Sequence, residues 1–164
     1  MHKFLFHRIH DLAQIQWVSE FAWFLSYPVT YFVIFFVLFW AMFYARRKMY
    51  SFSLIFLTGI TAWFGANLLK VFLRVERPFV ELGFSPRVAE SGFSFPSEHA
   101  TIMMAVALSV FAIHRHFGYF LIGLAILVGL SRVVLGVHYP IDIIAGMGLA
   151  YGIFWFYKKL FDKI

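Results

Sequence analysis

The sequence predicts an all-α, polytopic membrane helix bundle of five transmembrane helices with an N-terminal interfacial helix. Three observations carry that expectation. Of the 164 residues, 62% are hydrophobic and only 13% are charged. The mean hydropathy is +0.81, far outside the range of soluble domains. The apolar residues also fall in runs long enough to cross a bilayer, separated by short basic or turn-forming stretches. The 23 phenylalanines and five tryptophans suit lipid-facing helices with aromatic anchors. The length fits one domain over 1–164.

In chain order, residues 1–24 form the interfacial segment. Over 8–24, Leu12, Ile15, Phe21 and Phe24 mix with Asp11, Gln14, Gln16 and Glu20. That mixture is too polar for an easy crossing and suits a helix lying on the membrane; a sixth crossing there is the alternative. Met1 to Gln16 carries Lys3, Arg8 and Asp11 without a long apolar run or a small-residue cleavage site, so the segment is expected to stay attached. Spans follow at 25–45, 51–73, 99–113, 118–137 and 141–157, the third slightly short. Gly148 and Gly152 in the last span make a small-xxx-small pair assigned to helix packing. Val75 to Glu98, with Pro78, Pro86, Pro96, Gly83 and Gly92, reads as an ordered loop with turns.

The net charge of +6 does not point to nucleic acid, because the basic residues are scattered in short clusters between apolar runs. Arg46, Arg47 and Lys48, then Arg115 with His114 and His116, then Lys158, Lys159 and Lys163 fall on one side of five alternating spans. The positive-inside tendency makes that side cytoplasmic. The opposite side holds Lys70, Arg74, Arg77, Arg87 and Arg132 with Glu76, Glu81, Glu90, Glu98, His99, His138 and Asp142. A raw count of basic residues on the two sides ties, so the orientation depends on these five cations having another job. There is no cysteine and hence no disulfide.

Three clusters meet on that second side. In KVFLRVERP, Lys70, Arg74 and Arg77 share a helical face, and Pro78 ends the helix. In FPSEHA, Ser97 follows Pro96 as an N-cap and His99 sits in the first turn of the next span, where free N–H groups suit an anion. In SRVVLGVHYPID, Arg132 closes one span and Pro140 begins the next, with His138 just before it and Asp142 just inside. Four residues apart across a helix start, the carboxylate can reach the imidazole and set its tautomer. Taken singly, each residue has a plain structural explanation: anchors that snorkel, a cap, a packed ring. His2, His7, His10, His114 and His116 are read that way. Ionisable groups gathered at three helix ends within a membrane protein mark function instead. Three cations without a carboxylate cluster repel a divalent metal and suit an oxyanion, so no metal or cofactor is expected. Two histidines then supply a nucleophile and a proton donor for phosphoryl transfer.

These residues, as Lys70–Arg77–Pro78, Pro96–Ser97–Glu98–His99 and Ser131–Arg132 with His138 and Asp142, resemble in order and spacing the three-part signature of the type 2 phosphatidic acid phosphatase family, related to vanadium haloperoxidases. The signature covers 70–142. The resemblance implies a metal-independent membrane lipid phosphatase opening at the extracytoplasmic surface of a bacterial plasma membrane. It implies His138 as the nucleophile that forms a phosphohistidine, Asp142 as its orienting partner and His99 as the general acid. Lys70, Arg77, Ser97 and Arg132 would hold the phosphate oxygens, with Glu98 among them in the phosphate-binding motif. The family most often has glycine where this chain has Glu98. Glu98 must therefore point away, pair with a cation such as Arg74 or Arg87, or take a proton. An acid at this place resembles the branch acting on undecaprenyl diphosphate. With Arg74 as a contact for a second phosphate, that lipid is the first expectation; phosphatidylglycerophosphate, lipid A and phosphatidate are alternatives. The partners implied are a phosphorylated membrane lipid and the bilayer. An anion transporter is the reading of a different class, set against the gathering of charge at one surface and the lack of an internal repeat. An inactive structural protein that kept the motifs is a third.

Overall fold

The computed structural model describes the backbone of residues 2–163 and the side chains of residues 6–163, so the side chain of His2 lies outside the described residues. The chain is helical in this order: α1 (His2–His10), a 3₁₀ turn (Asp11–Gln14), α2 (Gln16–Phe24), a π-helical turn (Leu25–Val29), α3 (Thr30–Phe43), α4 (Lys48–Leu73), the single turn α5 (Pro78–Glu81), α6 (Glu98–Ile113), α7 (Arg115–Val134) and α8 (Pro140–Phe161). Among the described residues, four helices are long and apolar enough to cross a membrane, beginning at Gln16, Lys48, Arg115 and Pro140. The 16-residue α6 completes five.

The short helix is the central one. Helix α6 packs against α3, α4, α7 and α8, and Ala100, Met103, Ala105, Val106, Ala107 and Val110 are buried along it. At 1.5 Å per residue it is about 24 Å long, less than the usual hydrocarbon thickness. Enclosed by its neighbours, it does not face that thickness directly.

The N-terminal boundary differs from the sequence expectation. Residues 16–24 are not part of an interfacial helix but the first turns of the continuous helix Gln16–Phe43. Pro28 lacks a backbone N–H and would ordinarily interrupt it. The backbone instead widens by one π turn at Leu25–Val29, and the Thr30 hydroxyl donates to Leu25 O at 3.1 Å. No separate sixth crossing forms over 8–24. The interfacial segment reduces to α1 and the 3₁₀ turn, which lie against α7. There Phe6 is fully buried, and the His10 ring stacks on it at 5.2 Å and donates from Nδ1 to Val134 O at 2.9 Å.

A second difference concerns the last span. A side chain at Gly148 or Gly152 would meet nothing within 4 Å, so neither glycine packs against another helix among the described residues. Gly146 does. A Cβ there would lie 2.6 Å from Thr101 Oγ1 and 2.8 Å from Ser97 O. Two residues along a helix turn the side chain through about 200°, which puts Gly148 on the face opposite the α6 contact. The tight approach at Gly146 brings the start of α8 against the start of α6, and both starts belong to the site.

The α3–α4 connection, the α6–α7 turn and the end of α8 gather at one end of the bundle, as the Trp40–His114 and Tyr50–Phe161 ring contacts record. The three motifs gather at the other.

Candidate functional site

Helix α4 ends one turn before the KVFLRVERP motif does. Leu73 is its last residue, and Arg74 caps it in the left-handed region at φ 50°. The chain then runs without regular secondary structure to Arg77, so Arg77 reaches the site from a loop rather than by helical periodicity from Lys70. Arg74 is carried off the site: it is exposed, and its Nε donates to Val71 O at 3.2 Å. It does not line the cavity described below, which corrects its assignment as a second-phosphate contact.

Arg77 is 3% exposed and pins two loops. Its guanidinium donates to Gly92 O (3.1 Å), Ser91 O (3.2 Å) and, across the bundle, Val137 O (3.2 Å). Val137 precedes His138, so Arg77 ties the α5–α6 loop to the α7–α8 loop.

The α8 start is built as a cap. Pro140 occupies the first turn, where its missing N–H costs nothing. Asp142 Oδ2 accepts the Tyr139 N–H at 2.8 Å. The same oxygen lies 3.3 Å from His138 Nδ1 and accepts the Ser94 hydroxyl at 2.5 Å. Ser94 Oγ is also 3.3 Å from His138 Nδ1. A carboxylate can only accept, so Nδ1 carries the proton and the lone pair resides on Nε2. Burial holds the His138 imidazole well below its ordinary pKa, and the charges of Arg132, Arg77 and Lys70 push in the same direction. The ring is therefore neutral at physiological pH.

Ser97 is the N-cap of α6, but its hydroxyl makes no capping bond. Its backbone N–H donates to Asp142 O at 3.0 Å, which locks the two helix starts together. Five buried polar atoms here have no hydrogen-bond partner among the described residues: Ser97 Oγ, His99 Nε2, Nε and Nη1 of Arg132, and Asp142 Oδ1. A nearby cavity of about 680 Å³ is lined by Lys70, Arg77, Glu90, Glu98, His99 and His138, with Tyr27 and Tyr31 on one wall. The structure thus brings together eight of the nine residues singled out from the sequence, with Ser97, Arg132 and Asp142 buried behind the lining. Glu98 takes neither suggested cation. It pairs with Lys70, Nζ to Oε2 3.6 Å, because α4 lays Lys70 beside the first turn of α6 whereas Arg87 is drawn to Ser19.

Three participants were not singled out. Glu90, on the α5–α6 loop, pairs with Arg77 Nη1 at 2.8 Å and with Arg132 Nη2, and accepts the Tyr27 hydroxyl at 2.5 Å. Burial alone would raise its carboxyl pKa, but the Arg132 guanidinium, with Tyr27 and Arg77, holds it well below the usual carboxylate range. Tyr27 sits in the π turn, its ring 5.2 Å from the Arg132 guanidinium. Ser94 completes the His138–Asp142 contact. The only signal for Glu90 in the sequence is an acid on a face whose buried cations need counter-charge.

Fold and site together describe a polytopic helical membrane protein with a cationic, histidine-bearing cavity at one end of the bundle. Residues 50–164 match the PAP2 superfamily, and the chain belongs to it. It is 36% identical over 109 residues to phosphatidylglycerophosphatase B of Bacillus subtilis, a match covering 60% of this chain and 52% of that protein. It is 40% identical over 74 residues to the putative undecaprenyl-diphosphatase YbjG of Escherichia coli, covering 44% of this chain and 37% of that one. The chain thus spans about a third to a half of the length of these curated relatives. The crystal structure of the transmembrane PAP2-type phosphatidylglycerolphosphate phosphatase of Bacillus subtilis superposes with a TM-score of 0.75 at 27% identity, over 99% of this chain and 87% of that one. This chain is an integral membrane protein of the same fold.

Proposed function

We propose that the chain is a lipid phosphatase that removes a terminal phosphoryl group through a phosphohistidine. One observation carries the reading. A neutral imidazole with Nε2 free is held by Asp142 and Ser94 beside Lys70, Arg77 and Arg132, where Ser97 Oγ, His99 Nε2 and two guanidinium nitrogens of Arg132 have no partner among the described residues. A phosphoryl group is the ligand with enough acceptor oxygens to use them.

In the first step His138 Nε2 forms the P–N bond as the bond from phosphorus to the leaving lipid oxygen breaks. His99 gives that oxygen its proton. In the second, His99 takes a proton from water, whose oxygen attacks phosphorus; the P–N bond breaks and inorganic phosphate leaves. The cations and Ser97 neutralise the equatorial oxygens throughout.

The lipid assignment draws on the bundle itself. An apolar crevice of about 210 Å³ between α3, α4 and α6, lined by residues such as Ile34, Leu38, Ile60 and Trp63, runs along the helices that carry Tyr31 and Lys70 at the cavity. The crevice has room for part of an acyl or isoprenyl chain while the phosphate enters the cavity. The basic end of the bundle, with Arg46, Arg47, Lys48, Arg115, Lys158 and Lys159, is cytoplasmic on this reading and the cavity extracytoplasmic in a bacterial plasma membrane. Relatives named for undecaprenyl diphosphate and for phosphatidylglycerophosphate support a phosphorylated lipid. With Arg74 off the cavity and Glu98 on Lys70, the case for a second-phosphate contact rests on neither.

The test is phosphate release by the purified protein from undecaprenyl diphosphate, phosphatidylglycerophosphate, phosphatidate and lipid A. Turnover of at least one, lost in His138→Ala, is expected. No release from any, with phosphate uptake into proteoliposomes, would replace the phosphatase by a transporter.

A further inference from the structure

The Glu90 carboxylate sits where both buried arginines are already engaged. Arg77 and Arg132 are 3% and 0% exposed, and Glu90 is the acid that pairs with each of them, while Lys70 is matched by Glu98. The Tyr27 hydroxyl donates to the same Glu90 oxygen that Arg132 holds. Two guanidinium charges therefore meet one carboxylate charge, which leaves one positive charge in excess. Arg132 keeps Nε and Nη1 unpartnered, but a phosphoryl group that reaches Arg132 Nη2 and Arg77 Nη1 from the cavity must take the place of the Glu90 oxygens.

We infer that Glu90 is a specificity-determining residue: an internal carboxylate that competes with the ligand for Arg77 and Arg132 and yields to a terminal phosphoryl dianion but not to a phosphodiester monoanion. The inference rests on the phosphoryl-binding reading of the cavity. A terminal phosphate carries about −1.5 to −2 charge at pH 7 and three acceptor oxygens, so replacing Glu90 by it brings the two arginines close to neutrality. A phosphodiester carries a single charge, the same as the carboxylate it would expel. Exchange then gains nothing and loses the contacts Glu90 makes with Tyr27 and Arg77. This matters in a bilayer, where phosphodiester lipids surround the protein and have chains that fit the same apolar crevice. The covalent attachment of Glu90 to the α5–α6 loop keeps the competitor at high effective concentration.

The experiment measures anion binding, which needs no turnover, so its failure is separable from that of the phosphatase reading. The full chain in detergent is titrated with inorganic phosphate and with dimethyl phosphate, as wild type, Glu90→Gln and Glu90→Asp. Glu90→Gln keeps the shape and removes the charge. It is expected to bind phosphate about tenfold tighter, the order set by deleting one charge-assisted competitor, and to admit dimethyl phosphate that the wild type refuses. Glu90→Asp keeps the charge but draws the carboxylate back by one methylene. It is expected to bind phosphate tighter than wild type and less tightly than Glu90→Gln. Unchanged or weaker phosphate binding in Glu90→Gln, or continued refusal of dimethyl phosphate, would overturn the inference. Should melting show that Glu90→Gln does not fold, Glu90→Asp decides it alone: affinity no greater than wild type overturns it.

Discussion

His138 and Asp142 meet across the first turn of α8, Nδ1 to Oδ2 at 3.3 Å, on an oxygen that also accepts the Tyr139 N–H and the Ser94 hydroxyl. The carboxylate is thus a cap for the helix and a guide for the imidazole at once. Removing its charge loosens both.

Asp142→Asn is accordingly expected to lower kcat on a lipid phosphate by on the order of 10²-fold or more, as the amide no longer holds Nδ1–H. Ser94→Ala removes one supporting donor and is expected to cost less. The order His138→Ala, then Asp142→Asn, then Ser94→Ala, in decreasing severity, is checked by single-turnover kinetics; equal losses would contradict it.

The two arginine-bearing positions flanking the end of α4 should separate sharply. Arg77→Ala deletes a buried donor set and is expected to reduce kcat/KM by about 10²–10³. Arg74→Ala touches only Val71 O at the surface and is expected to stay within about twofold of wild type. Comparable losses at both would return Arg74 to the site.

His138 also couples folding to pH. Its folded pKa is depressed below the ordinary 6.5. At higher pH neither state is protonated, and as pH falls through 6.5 the unfolded chain takes up a proton that the folded chain refuses. Stability is therefore present above 6.5 and lost progressively below it. Glu90, also depressed, adds a further loss as pH falls below its ordinary 4.5. Melting curves from pH 7.5 to 5 are expected to show a decline that is smaller in His138→Gln. An identical decline in both proteins would remove His138 as its source.

Gly146→Ala places a methyl 2.6 Å from Thr101 Oγ1 and 2.8 Å from Ser97 O. Backbone and buried hydroxyl cannot both retreat, so a loss of about 1–3 kcal/mol is expected, with lower activity as the α6 and α8 starts part. Gly148→Ala, on the open face, is the matched control and should leave the melting temperature unchanged or slightly raised.

Vanadate, which reaches the five-coordinate geometry of phosphoryl transfer, is expected to inhibit competitively with phosphate. EDTA is expected to leave turnover unchanged, since the two carboxylates that line the cavity, Glu90 and Glu98, are engaged by Arg77, Arg132 and Lys70. Loss of activity in EDTA, restored by a divalent metal, would call for a different mechanism.

Much of this protein could be read from its sequence because the relevant signals are local. Apolar runs of bilayer length set the bundle, and Pro140 with Asp142 announces the start of α8 with its neighbouring histidine. The three motifs could be assigned to one end from the alternation of spans alone. Arg74 was misplaced because a helix that stops at Leu73, five residues before Pro78, removes the periodicity on which its position depended. Residues 16–24 were misplaced because their polar side chains hide a helix that runs on through Pro28.

Only the tertiary structure decided how the site is filled. Glu90 meets Arg132 across 42 residues and Tyr27 across 63, and Ser94 meets Asp142 across 48. No helical or strand period links residues so far apart on loops and a π turn. Which acid neutralises two buried arginines is settled by where the α5–α6 loop comes to rest, a matter of packing between elements rather than of any one element's own pattern.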